Sequence, residues 1–131
     1  RMYIHLKSFI VTFIVFILID LTWLGFVAKN LYASYVGPMM RAQPNMVAAV
    51  IFYVLYVIGI LAFVIYPHRG ESLWTIALWG ALFGLIAYAT FDLTALAVLK
   101  GWSVPLTLID LAWGTILTAS VAAASSYILS R

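Results

Sequence analysis

Residues 73–99 read L-W-T-I-A-L-W-G-A-L-F-G-L-I-A-Y-A-T-F-D-L-T-A-L-A-V-L, and Asp92 is the only charge among them. A helix that crosses the roughly 30 Å hydrocarbon core of a bilayer needs about 20 such residues, and this run exceeds that. Ser72 stands before it as a helix N-cap, and Lys100 and Gly101 follow as a C-terminal charge and a C′ glycine. Working outward, three similar stretches cover residues 3–28, 46–66 and 104–129. Asn45 and Ser103 are the expected caps of the second and fourth, Pro67 the stop of the second, and Pro105 a first-turn proline of the fourth. The expected fold is all-α: one transmembrane domain, an integral membrane four-helix bundle with short loops and one longer loop, 28–45, between helices 1 and 2. That loop carries Lys29, Gly37, Pro38, Arg41 and Pro44. The first stretch reads as a span and not as a cleaved leader, because no A-x-A pattern stands near Ala28.

Composition agrees. The chain of 131 residues is 66% apolar and 8% charged, with a mean hydropathy of +1.14. Soluble domains are about half apolar and about a quarter charged, so this chain cannot wet a globular surface of its own size. The spans leave no room for a separate soluble domain. Without cysteine there are no disulfides, thiolate metal sites or Cys nucleophiles, and no indication of redox compartment. A net charge of +3 spread over scattered bases gives no footprint for nucleic acid. Let side A be the side that holds the N-terminus and side B the other. Arg1, Lys7, Arg69 and Arg131 then face Lys29, Arg41 and Lys100, too even a division to set orientation.

Three of the four acids lie inside spans. Asp20 and Asp92 come near the side B ends of the first and third helices, and Asp110 lies six residues into the fourth, which starts at side B. At about 1.5 Å per residue all three fall in one layer roughly 8 to 14 Å below side B. Asn45 and Tyr53 bracket that layer from the second helix. Gly80, Gly84, Tyr88 and Asp92 recur every four residues, as do Asp110, Gly114, Thr118, Ala122 and Ser126. Small residues at that spacing mark the faces on which membrane helices pack, so both acids point inward. Ser8, Thr12, Phe16 and Asp20 repeat the pattern more weakly. Asp20 opens D-L-T-W, Asp110 D-L-A-W and Asp92 D-L-T-A, which places Trp23 and Trp113 one turn from their acids and Thr94 two positions after Asp92. The likeness between these segments is compatible with two related helical hairpins.

An intramembrane carboxylate costs about 2.5 to 3.5 kcal/mol on insertion scales, so the three must be paired, neutralised or hydrated. Lys29, Arg41 and Lys100 on the same side offer a purely structural pairing. His5 and His68 both lie on side A, roughly 15 to 20 Å from the acids by span length, which excludes a Ser-His-Asp arrangement or a His-carboxylate metal cluster. No cofactor is expected. The remaining chemistry belongs to a ligand-binding site formed by Asp20, Asp92, Asp110, Asn45, Tyr53, Tyr88, Thr94, Trp23 and Trp113, with Arg41 and Asn45 at a mouth facing side B. It would take a cation, a proton-coupled small molecule or a lipid headgroup, with transport as a consequence and a homodimer supplying the pathway. The alternatives are an integral-membrane lipid-modifying enzyme, with one Asp as acid and another as base, and an accessory subunit whose acids only join helices. The expected partners are membrane lipids. Trp74, Trp79, Tyr3, Tyr66 and Tyr127 on side A, and Trp102, Tyr32 and Tyr35 on side B, read as interfacial belts.

R-A-Q-P-N at 41–45, Y-A-T-F-D-L-T at 88–94, L-K-G-W at 99–102, L-I-D-L-A-W-G at 108–114 and the W-L-G after Asp20 occur together in one chain. On these motifs the sequence resembles, over essentially its whole length, the bacterial membrane family catalogued as domain of unknown function twenty-one seventy-seven. The resemblance implies a small four-span, multi-pass protein of the inner membrane with no established activity and supplies no catalytic residues. The family pattern has Asn after the D-L-T of the third helix, where this chain has Ala95, so one polar member of the layer is absent here.

Overall fold

The computed structural model describes residues 2–37 and 45–130. Each apolar stretch is helical, because in lipid a backbone can satisfy its N–H and C=O groups only within the segment itself. The chain forms α1 (Met2–Thr22), a π-helical segment (Trp23–Ala28) and α2 (Lys29–Val36), then α3 (Met46–Ile60), α4 (Leu73–Val98) and α5 (Val104–Leu129). Four helical segments are long and apolar enough to cross a membrane: Ile4–Phe26, Met46–His68, Leu73–Val98 and Val104–Leu129.

The three expected caps are formed. Asn45 Oδ1 accepts from the Ala48 amide, Ser72 Oγ from Thr75 and Ser103 Oγ from Leu106, each at 3.1 Å. Two boundaries differ from the reading of the sequence. The first helix does not stop at Ala28: it widens into a π turn and continues as α2 to Val36, which shortens the connection to α3. Lys29 and Asn30 look like a helix end only because the apolar run stops there. Nothing in them breaks a helix, and the first proline comes at position 38. Pro67 does not stop its helix abruptly either. A π-helical stretch (Leu61–Ile65), in which the Tyr66 amide reaches the Leu61 carbonyl, passes into a 3-10 turn (Tyr66–His68) that contains the proline. The wider turn accommodates a ring that would otherwise clash with the carbonyl four residues earlier. Gly101 takes a left-handed φ of 76°, but in the turn after Lys100 and not directly behind the C-cap Leu99.

α4 and α5 make the most extensive contact, α1 packs on α5 and on α3, and α4 meets the second span through its π-helical stretch (Leu61–Ile65). The outside is apolar, unlike that of a soluble bundle, and the inside mixes apolar with polar side chains. Phe26, Phe63, Phe91 and Ile116 are exposed on the outside, while Ser8, Thr12, Asp20, Asp92, Thr107, Thr118, Ser125 and Ser126 are buried. Such an exterior suits hydrocarbon, and because lipid gives apolar side chains no reason to turn inward, close packing selects the interior. Gly84 shows how close. A Cβ there would run into the Gly114 carbonyl and the Thr118 side chain, and a Cβ on Gly114 would run into the Tyr88 ring. Around this seam Phe16, Val57, Ile60, Leu117 and Val121 fill the centre.

Candidate functional site

The stripe Ser8, Thr12, Phe16 and Asp20 is buried along its whole length, as are Gly80, Gly84 and Asp92 on α4 and Gly114, Thr118, Ala122 and Ser126 on α5. These faces bring the three intramembrane acids together. Asp92 and Asp110 are within hydrogen-bonding reach of each other, and Asp20 is within electrostatic range of Asp110. Two carboxyl groups can share a hydrogen bond only when one of them carries a proton, since an ionised carboxylate only accepts.

Asp20 has a different environment. Tyr53 Oη donates to its Oδ2 at 3.0 Å, and Trp113 Nε1 donates to its Oδ1 at 3.3 Å. Both of its oxygens are thus held by neutral donors from two other helices, α3 and α5. Trp113 also stacks on Trp23, with ring centroids 4.4 Å apart and planes at 9°. The two tryptophans that follow the D-L-x motifs therefore meet each other, and the Trp113 indole serves the acid of α1 across the helix interface. Trp23 begins the π segment, so the widened turn starts where this stack is made.

Asp92 is 2% exposed, and its Oδ2 has no hydrogen-bond partner among the described residues. Ala95, buried on the same face one turn further on, has no polar group to offer it. One turn the other way, Tyr88 packs over Gly114 and edge-on to Tyr56, with ring centroids 6.3 Å apart. Tyr56 shares a 2.6 Å hydrogen bond with Thr118 in the middle of the bundle. Neither Tyr56 nor Thr118 was singled out as a site residue from the sequence. Thr118 lies on the α5 packing stripe, but Tyr56 is one of several aromatics in a uniformly apolar run, where nothing marks which one meets a hydroxyl.

Other residues of the expected site lie elsewhere. Thr94 is exposed, about 200° round α4 from Asp92 at 100° per residue. Asn45 is exposed and spends its side chain on the α3 cap. Arg41 lies outside the described residues, as does the side chain of Lys29, and Lys100 is exposed in the turn after α4. Among the described residues no three of His, Asp or Glu are close enough to hold a metal ion. A shallow recess of about 410 Å³, lined by Leu18, Ile19, Thr22, Trp23 and Trp113, opens beside the Trp stack. Both histidines are tied locally on side A, His5 to Tyr66 Oη at 3.0 Å and His68 to the Val64 carbonyl at 2.8 Å.

Four helices long and apolar enough to cross a membrane are the architecture of a multi-pass membrane protein, and a family model described as predicted membrane protein (DUF2177) matches residues 5–127. The chain belongs to that family. No curated protein and no solved structure matches it. The matched segment contains all three intramembrane acids, both stacked tryptophans and Tyr53, so the whole constellation falls within the family region.

Proposed function

We propose that this is a multi-pass protein of the cell inner membrane that binds a proton, together with a small cationic or hydrogen-bond-donating group, at the Asp92–Asp110 pair and carries it across the bilayer. One observation supports this reading above the others: Asp92 is buried within hydrogen-bonding reach of a second carboxyl, and one of its oxygens meets no N–H or O–H donor among the described residues. An acid that serves only to join helices has its oxygens engaged, as Asp20 does. Leaving a buried acceptor unmet costs about 1 to 3 kcal/mol, a penalty that a ligand's donor would remove. Asp20, Tyr53 and Trp113 form the fixed wall of the site, and the purely structural account of the acids applies to Asp20 alone.

The proton is the direct probe. Infrared difference spectra of the protein in proteoliposomes, recorded between mildly acidic and mildly alkaline buffer, should show a protonated-carboxyl band. The band should disappear in both Asp92→Asn and Asp110→Asn and persist in Asp20→Asn. Spectra in which all three carboxyls are ionised throughout that range would overturn the reading.

A further inference from the structure

A second cavity lies away from the acid layer. It lies at the opposite end, on side A, where the start of α1, the end of α5 and the turn between α3 and α4 meet, and it has a volume of about 630 Å³. Small-molecule sites range over about 300 to 1,000 Å³. Two bases line it from different elements, Lys7 on α1 and Arg69 at the end of the 3-10 turn. The Arg69 guanidinium lies over the Tyr66 ring, 5.0 Å from its centroid, and so is held by an aromatic face. Glu71 lines the cavity too, so the three charged side chains leave one net positive charge.

A buried hydroxyl adds to this. Ser126 is 8% exposed and lines the cavity, and its Oγ has no hydrogen-bond partner among the described residues. Ser8, also on the wall, donates its hydroxyl proton to the Ile4 carbonyl, and its oxygen remains able to accept. The deeper wall is apolar, with Ile65 and Ile76 buried. A basic rim, an unspent hydroxyl and an apolar floor at the level of the side A aromatics together suit an anionic amphiphile.

We propose that this cavity binds a singly charged phosphate group, the headgroup phosphodiester of a phospholipid or a soluble phosphate. Lys7 and Arg69 supply charge-assisted hydrogen bonds to its oxygens, and Ser126 Oγ donates from within. One net positive charge complements one phosphodiester, and the apolar floor receives the first carbons of a lipid chain. The site is separate from the acid layer, so each proposal stands or fails by itself.

The test is thermal unfolding of the purified protein in a neutral detergent with three probes: dihexanoyl-phosphatidylglycerol, dihexanoylglycerol (the same chains without phosphate) and sodium phosphate. Dihexanoyl-phosphatidylglycerol should raise the melting temperature saturably and dihexanoylglycerol should not. Lys7→Gln and Arg69→Gln should each weaken the apparent affinity about tenfold and Ser126→Ala about threefold, while Lys7→Arg should bind nearly as the parent does. If sodium phosphate gives the same stabilisation with the same dependence on these side chains, the occupant is a soluble phosphate; if it gives none, the occupant is the lipid. Equal stabilisation by dihexanoylglycerol, or a phosphatidylglycerol effect that all the variants retain, overturns the proposal.

Discussion

The two kinds of buried acid in this bundle differ in what their oxygens touch. Asp20 accepts from Tyr53 and Trp113, so its cost of burial is offset by two donors and by the stack of Trp113 on Trp23, an arrangement worth about 0.5 to 1.5 kcal/mol beyond its area. Replacing Trp113 with Phe keeps an aromatic ring but removes the indole N–H. It should cost about 1 to 3 kcal/mol in unfolding free energy, because Asp20 Oδ1 loses its donor in a buried setting. Thermal or denaturant unfolding in detergent measures this, and a variant as stable as the parent would show that the 3.3 Å contact contributes nothing. The positions of Asp20 and Trp113 were legible from spacing, but their pairing was not. The intervals i, i+3 and i+4 describe neighbours on one helix, and this hydrogen bond joins residues 93 apart in the chain. Thr94 shows the same limit from the other direction, since adjacency to Asp92 in sequence put it on the exposed side of α4.

At the scale of elements, the seam between α4 and α5 is set by glycine. Gly84 and Gly114 let the two backbones approach so closely that side chains from the partner occupy the space of their missing Cβ atoms. Gly84→Ala should therefore separate the helices and cost at least about 2 kcal/mol, whereas Gly25→Ala, where a Cβ would meet nothing within 4 Å, should stay within about 0.5 kcal/mol of the parent. Comparing the two melting temperatures checks the seam against a glycine of no packing consequence. Four-residue spacing announced these faces because small side chains gain nothing from exposure to lipid. The π turns announced nothing. Trp23–Ala28 and Leu61–Ile65 are as apolar as the helices they continue; the first begins at the stacked Trp23 and the second leads into the turn that contains Pro67.

Across the whole molecule, two polar regions stand at opposite ends of one apolar shell: the acid layer toward side B and the basic, hydroxyl-bearing cavity at side A. The four spans place the turn after α3 and the turn after α4 on opposite sides of the bilayer. Because the chain has no cysteine, that topology can be read directly. Glu71→Cys and Lys100→Cys, tested singly in intact cells, should react with a membrane-impermeant maleimide from opposite sides, so that one is labelled and the other only after lysis. Labelling of both in intact cells would contradict the four-span path.

Composition and periodicity alone determined the class, the four helices, their caps and the inward faces that carry the acids. These follow from local rules, the need for backbone hydrogen bonds in lipid and the alignment of residues four apart. Tertiary structure alone decided that each Asp20 oxygen has a donor while one Asp92 oxygen meets none among the described residues, that Trp23 meets Trp113, and that Lys7, Arg69 and Ser126 border one cavity. Those outcomes depend on the rotation and depth of each helix against its neighbours, which are set by packing between residues far apart in the chain.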